Sequence, residues 1–205
     1  MSTSRPSFRT ERLVYRAIAS PLDDSTLLDL FGTDEPGQFG WTDEVIVPWT
    51  AAALQEFYKA MDKATFAVMI CLPDPAGGSA PGHVRKPGDA IGFMALHPIR
   101  HPHRRADFGI ALHRDHQGKG YAAEAIGWLL ERAFVGYGLN RVQGACFSFN
   151  ERALKCYTSL GFVEEGRRRS TTWQHGAYHD DIMIGILASE WFARRNQSRS
   201  DPADP

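Results

Sequence analysis

The residues best suited to chemistry are Gln117-Gly118-Lys119-Gly120-Tyr121-Ala122, a glycine-rich turn that runs straight into an apolar-periodic segment. A turn of this kind at the head of a helix leaves backbone N–H groups unpaired, and the helix dipole adds partial positive charge at the same place. The chemistry it suits is the holding of an anion, a phosphate or pyrophosphate first of all. A second constellation follows downstream: Asn150-x-x-Ala153-x-x-x-Tyr157-x-x-x-Gly161-Phe162. Asn150 is a good helix N-cap, Gly161 suits the left-handed residue after a helix, and Phe162 can fold back onto Tyr157. Cap, stop and hydrophobic clasp account for each of these residues without any chemistry.

Rival readings of the turn fail on spacing. A Walker A loop needs G-x-x-x-x-G-K-[ST], and Gly118-Lys119-Gly120 has neither that spacing nor its hydroxyl. Gly118-x-Gly120-x-x-Ala123 fits the dinucleotide pattern, but that pattern needs an acidic residue at the end of the next strand, and 141–149 contains none. A tight turn with no ligand, its glycines relieving φ strain, remains open on the residues alone. His113 and His116 flank the turn, and His101/His103 and His175/His179 form pairs. None has a third convergent ligand, so no metal is expected.

The elements that must position the turn follow from periodicity. Segment 121–137 carries apolar residues in neighbouring pairs every turn, one broad helical stripe with Glu124, Glu131 and Arg132 off it. Strands are predicted at 13–17, 65–72, 90–97, 106–112 and 141–148, with another starting at 162–164; 171–174 and 178–187 flank a hairpin at His175-Gly176. Helices are predicted at 21–31, from Thr50 to about 60, at 150–160 and at 188–196. Between them, 32–48 reads as an irregular loop rich in aromatics (Phe39, Trp41, then Trp49), either functional or packed down as a lid. Segment 73–88 holds four prolines and four glycines without periodicity and reads as a surface insertion. The fold class is α/β of the mixed α+β type: one central, mixed sheet with helices on its faces. The expected division is a flexible N-terminus at 1–8, a single domain at 9–188 and a C-terminal helix and polar tail at 189–205.

Composition narrows the partners. The 205 residues include 43% hydrophobic residues, enough for a real core, and a formal net charge of -1, which gives no electrostatic case for nucleic acid or an anionic membrane. Residues 1–10 carry no apolar stretch of a signal peptide, and no apolar run approaches the roughly 20 residues of a membrane span. Cys71, Cys146 and Cys156 are too few and scattered for a disulfide framework. A cytoplasmic protein is expected. Arg167-Arg168-Arg169 is the one basic run, read as a solvated face.

Taken together, Gln117-x-x-Gly120-x-Ala122 and Asn150…Tyr157…Gly161-Phe162 resemble the GNAT family of N-acetyltransferases. The local phrases 117–125 and 173–180 resemble its RimJ/RimL-like branch. The resemblance covers about 9–188. It implies a mostly antiparallel twisted sheet that splays between the fourth and fifth strands, with acetyl-CoA as co-substrate and no metal. The pyrophosphate would lie on the backbone of Gly118, Lys119, Gly120, Tyr121, Ala122 and Ala123, beside Gln117. The pantetheine would run along Ala111 and Leu112, and Asn150 would touch the cofactor. The partners implied are acetyl-CoA and an amine acceptor, a small molecule or a peptide or protein N-terminus, with a homodimer as a further expectation.

In the reaction the resemblance implies, an amine attacks the thioester directly. Tyr157 is the expected donor of a proton to the departing thiolate, since a phenol's reference pKa of about 10 lies close to a thiol's roughly 8.5. Asp107, on the strand leading into the turn, is the candidate base; its plainer role is as a partner for Arg104 or Arg105. Glu124 reads as a helix-dipole partner. Asp180 and Asp181 are candidates for the acceptor mouth. A non-catalytic acyl-CoA-binding module on the same fold is the alternative function.

Overall fold

The computed structural model describes residues 8–31, 49–75, 87–174 and 176–200. Phe39 and Trp41, most of the 73–88 insertion, His175 and the two chain ends lie outside the described residues. Seven strands make one sheet in the order β1-β2-β3-β4-β5-β7-β6. They are β1 (Val14–Ala17), β2 (Phe66–Pro73), β3 (Pro87–Leu96), β4 (Arg105–Leu112), β5 (Arg141–Phe147), β6 (Val163–Gln174) and β7 (Ala177–Leu187). The helices are α1 (Asp24–Phe31), α2 (Ala51–Asp62), α3 (Tyr121–Glu131), α4 (Glu151–Ser159) and α5 (Ala188–Ser200).

The continuous apolar run of β2 is explained by burial on both sides. Val68 and Ile70 enter one hydrophobic cluster, while Met69 and Cys71 enter a second on the opposite face. Leu27, Leu30 and Phe31 of α1 and Leu54, Phe57 and Met61 of α2 close the second cluster. Ile126, Leu129 and Leu130 of α3, with Tyr157 of α4, fill the first. Helices therefore cover both faces, as the pattern of α/β segments implies.

Three local departures from the sequence expectation have clear causes. Helix α1 starts at Asp24 rather than at 21, because Asp23 is committed beforehand. Its fully buried carboxylate accepts from the Ala19 N–H at 2.8 Å and from both terminal nitrogens of Arg16, at 2.8 and 2.5 Å, tying β1 to the helix entry. The helix expected over 121–137 widens into a π turn at Arg132–Gly136, where the Tyr137 N–H reaches the Arg132 carbonyl at 2.9 Å. The pieces expected at 162–164 and 171–174 are one strand, β6, which kinks past Gly166 and Ser170; the Ser170 N–H, at φ 53°, is held by Asp180 Oδ1 at 2.9 Å.

One rung pattern decides where a site can form. All neighbouring strands run antiparallel except β4 and β5, which are parallel and pair only at Arg105↔Arg141, Ala106↔Val142 and Asp107↔Gln143. Beyond Asp107 the two strands part. β3 holds β4 out to Leu112, and β7 holds β5 out to Phe147, so each strand continues supported on its outer side alone. Phe108 sits at the vertex: its ring would lie 3.1 Å from a Cβ at position 144, so Gly144 supplies the room for it. The ring then packs edge-on against Tyr157 at 5.5 Å and against Phe162 at 5.2 Å.

Candidate active site

The glycine turn lies at the open end of β4. A short 3-10 turn, Arg114–His116, leads into it, and Gln117 folds back to donate from Nε2 to the Leu112 carbonyl at 2.8 Å. Gly118 and Gly120 adopt φ 74° and 80°, in the left-handed region that favours glycine. Gly120 is also the N-cap of α3 and offers no side-chain oxygen. The first bond inside the helix runs from the Glu124 N–H to the Gly120 carbonyl at 3.2 Å. The N–H groups of Tyr121, Ala122 and Ala123 are therefore not spent on the helix, and they gather at its positive end.

Helix α4 supplies the facing wall. Asn150 caps it, accepting the Ala153 N–H at 3.1 Å, while the Asn150 N–H reaches the Phe147 carbonyl at 2.8 Å. This cap joins the end of β5 to the head of α4 and orients Tyr157 two turns on. A cleft of about 230 Å³ lies between the two walls. Ala111 and Leu112 line it from β4, and Gln117, Gly118, Gly120, Tyr121, Ala122 and Ala123 from the turn. Asn150 and Tyr157 line it from the other side. Lys119 and Asp107, also expected at the site, are not among the lining residues.

Asp107 sits on the last paired rung. Its Oδ1 accepts from Gln143 Nε2 at 2.9 Å, and Gln143 in turn accepts from Arg141 at 2.8 Å and from Arg105 at 3.4 Å. The partner of Asp107 is thus the neighbouring strand rather than the adjacent arginines directly. Asp180 and Asp181 are committed to the β6–β7 hairpin: Asp180 holds Ser170, and the buried Asp181 accepts from the Thr172 hydroxyl at 3.0 Å.

Some lining residues escaped sequence reasoning. Arg152, in the first turn of α4, donates across the cleft to Gln117 Oε1 and so links the two motifs. His116 and Cys156 also line the cleft. Position 152 could have been found from its place two residues after the Asn150 cap, in the first turn of the helix that faces the glycine turn.

Electrostatics divide the cleft. Burial, reinforced by the nearby Cys146 and Cys156 thiols, pushes the Tyr157 phenol well above its ordinary value, so it keeps its proton throughout the neutral range. Burial likewise drives His116 below its ordinary value, with Lys119 and His113 adding to the effect. Burial also raises the Cys156 thiol, and pushes the Cys146 thiol up to about 11. The arrangement offers backbone donors and a helix dipole at one end and a protonated phenol at the other. Among the described residues, no group of three His, Cys, Asp or Glu side chains could hold a metal ion, and no helix is long and apolar enough to cross a membrane.

Residues 12–163 match the family model described as "Acetyltransferase (GNAT) domain". A "Putative ribosomal N-acetyltransferase YdaF" of Bacillus subtilis is 31% identical over 104 residues, 51% of this chain and 57% of the relative. A spermidine N(1)-acetyltransferase of Vibrio cholerae is 34% identical over 104 residues, 51% of this chain and 60% of the relative. The matched region therefore spans less than two thirds of either relative's length. Among solved structures, the spermidine N-acetyltransferase of Vibrio cholerae in complex with CoA and spermine shares the fold, with a TM-score of 0.73 at 24% identity, over 89% of this chain and 99% of that one.

Proposed function

The chain belongs to the GNAT acetyltransferase family, and we propose that it is an acetyl-CoA-dependent N-acetyltransferase acting on a primary aliphatic amine. One observation carries this reading: the glycine turn, the open end of β4 and Tyr157 line a single cleft at the place where the sheet splays. In this reading the pyrophosphate sits on the backbone of the 118–123 turn, and the pantetheine lies along Ala111 and Leu112. Asn150 meets the cofactor from the head of α4.

The amine nitrogen forms its bond to the thioester carbonyl carbon, the C–S bond breaks, and the sulfur leaves with the electron pair. Tyr157 gives its proton to that thiolate, and the proton that the attacking nitrogen sheds as the amide forms returns through water to the phenolate. Because burial raises the phenol above its ordinary value, the transfer to a thiolate of conjugate-acid pKa near 8.5 is uphill and is drawn forward by that return. The ammonium proton of the acceptor passes to water at the mouth of the cleft. Asp107, tied to Gln143 outside the cleft, takes the role of holding the vertex rather than that of the base. The protein's share of catalysis is then mainly the holding of two reactants in line, together with one proton transfer.

A polyamine is the first acceptor to test, supported by relatives that acetylate spermidine at 34% and 31% identity. A ribosomal protein N-terminus is the second, supported by the 31% identity to the Bacillus relative. Thermal melting with acetyl-CoA, CoA and NADPH tests the donor. At about 100 times its dissociation constant a ligand adds roughly 2.7 kcal/mol, or about 5–10 °C for a domain of this size. Thiol release with spermidine and with a short peptide then separates the acceptors. Stabilisation by NADPH and not by CoA sinks the reading. Binding of CoA without turnover on any amine leaves the non-catalytic module.

A further inference from the structure

Resting on that reading of the cleft, we propose that Arg12 is a positioning residue for the cofactor, one that aims the anion-holding turn from a distance of more than a hundred residues in sequence. Arg12 lies just before β1 and is remote from the glycine turn along the chain. Its Nη1 nevertheless donates to the Lys119 carbonyl at 2.9 Å. Its Nε donates to Glu124 Oε2 at 2.7 Å, and its own backbone N–H reaches Glu124 Oε1 at 2.8 Å. The guanidinium also lies 4.9 Å from the centre of the Tyr121 ring. The hydroxyl of Thr10 completes the set with a bond to Glu124 Oε1 at 2.5 Å. One side chain therefore grips the turn and the first turn of α3 together.

The peptide bond turns this grip into an aim. Carbonyl and N–H of one trans peptide point in opposite directions in a rigid plane. The Lys119 carbonyl and the Gly120 N–H share such a plane. With the carbonyl drawn outward onto Arg12, the Gly120 N–H is directed away from Arg12. Gly120, on the C-terminal side of this peptide, sits in the left-handed region and as a glycine can take either sign of φ, so on that side the peptide has little restraint of its own, and a flip would present the oxygen where an anion must lie. Arg12 supplies the missing restraint. Glu124 fixes Arg12 in turn: burial alone would raise its carboxyl, but the Thr10 hydroxyl and the Arg12 N–H and guanidinium hold it below the ordinary range, so it stays charged.

The turn holds the pyrophosphate, so the effect of Arg12 must depend on which part of the ligand is present. Calorimetric titration of the full chain with CoA, 3′-dephospho-CoA and pantetheine tests this. In Arg12→Gln, CoA and 3′-dephospho-CoA are expected to weaken by the same factor, ten-fold or more, while pantetheine, which lacks the pyrophosphate, binds as to wild type. Arg12→Lys keeps a charge beside Glu124 but loses the two-pronged reach, and should fall between them. An equal loss for pantetheine marks a general disturbance of the cleft and overturns the proposal, as does unchanged CoA binding in Arg12→Gln. Should Arg12→Gln fail to fold, Arg12→Lys carries the same comparison. Absence of CoA binding by wild type would overturn the donor assignment itself, an outcome distinct from either.

Discussion

Replacing Tyr157 with Phe removes one hydroxyl from the end of the cleft and little else. The ring is 9% exposed and held edge-on to Phe108 at 5.5 Å and against Phe162 at 5.9 Å, contacts that a phenylalanine keeps. The fold should therefore change in stability by no more than about 1.5 kcal/mol, the worth of one lost hydroxyl hydrogen bond. The proposed anion seat, the 117–123 turn, lies across the cleft, so CoA affinity should hold within about two-fold. What changes is the proton. Without the phenol the thiolate must leave unprotonated or wait for water, and a general acid typically supplies 10²–10⁴-fold. We expect kcat to drop by ten-fold or more, at least about 1.4 kcal/mol of barrier. Burial has raised the phenol's pKa, so wild type should show no alkaline limb from this group between about pH 6 and 9. The assay is thiol release at saturating acetyl-CoA with the best acceptor found, run beside a CoA titration. Unchanged kcat removes Tyr157 from the chemistry. A drop in kcat matched by an equal loss of CoA affinity refutes the claim that its contribution is made in the transition state.

Further outcomes follow from other contacts. Asp107→Asn should leave the acidic limb of the pH–rate profile where wild type has it, since the group faces Gln143 and not the cleft; a shifted limb would restore it as the base. Asp23→Ala should destabilise by about 3–5 kcal/mol in urea unfolding, because it strands the Arg16 guanidinium without its buried partner; a change below 1 kcal/mol would mean that water replaces the carboxylate. Glu124 has a folded pKa below its ordinary 4.5, so the stability it contributes is present above that pH and is lost as the pH falls through the lowered value. The melting temperatures of wild type and Glu124→Gln should therefore differ at pH 7 and draw together as the pH falls below Glu124's ordinary 4.5; a gap that stays constant would show that the charge is not what matters.

The local signals were legible because they are local. Gly118 and Gly120 announce a left-handed turn by their type, and Asn150 and Gly161 bracket α4 by capping chemistry that acts within a few residues. The contacts that brace the turn are not legible in the sequence, since Thr10 and Arg12 meet Glu124 across 114 and 112 positions. Nothing in a single sequence marks such a pair. From the sequence Glu124 is a dipole partner only, a role its position in the first turn does support. The place of Asp107 before the turn suggests a base; only the register Asp107↔Gln143 reveals its partner. The kink in β6 was missed for a similar reason: the Asp180 carboxylate that holds Ser170 lies on the next strand.

The parting of β4 and β5 has one more consequence. A strand edge with unmet N–H and C=O groups is ordinarily a hazard, a template on which another chain can add itself. Here two such edges open in the middle of the sheet, facing each other across a wedge that starts from a closed rung. Each edge is reached only from the notch between the two strands, since β3 and β7 occupy their outer sides. On the proposed reading, the backbone groups that β4 turns toward the wedge beyond Asp107 are the ones an amide-bearing alkyl chain would meet.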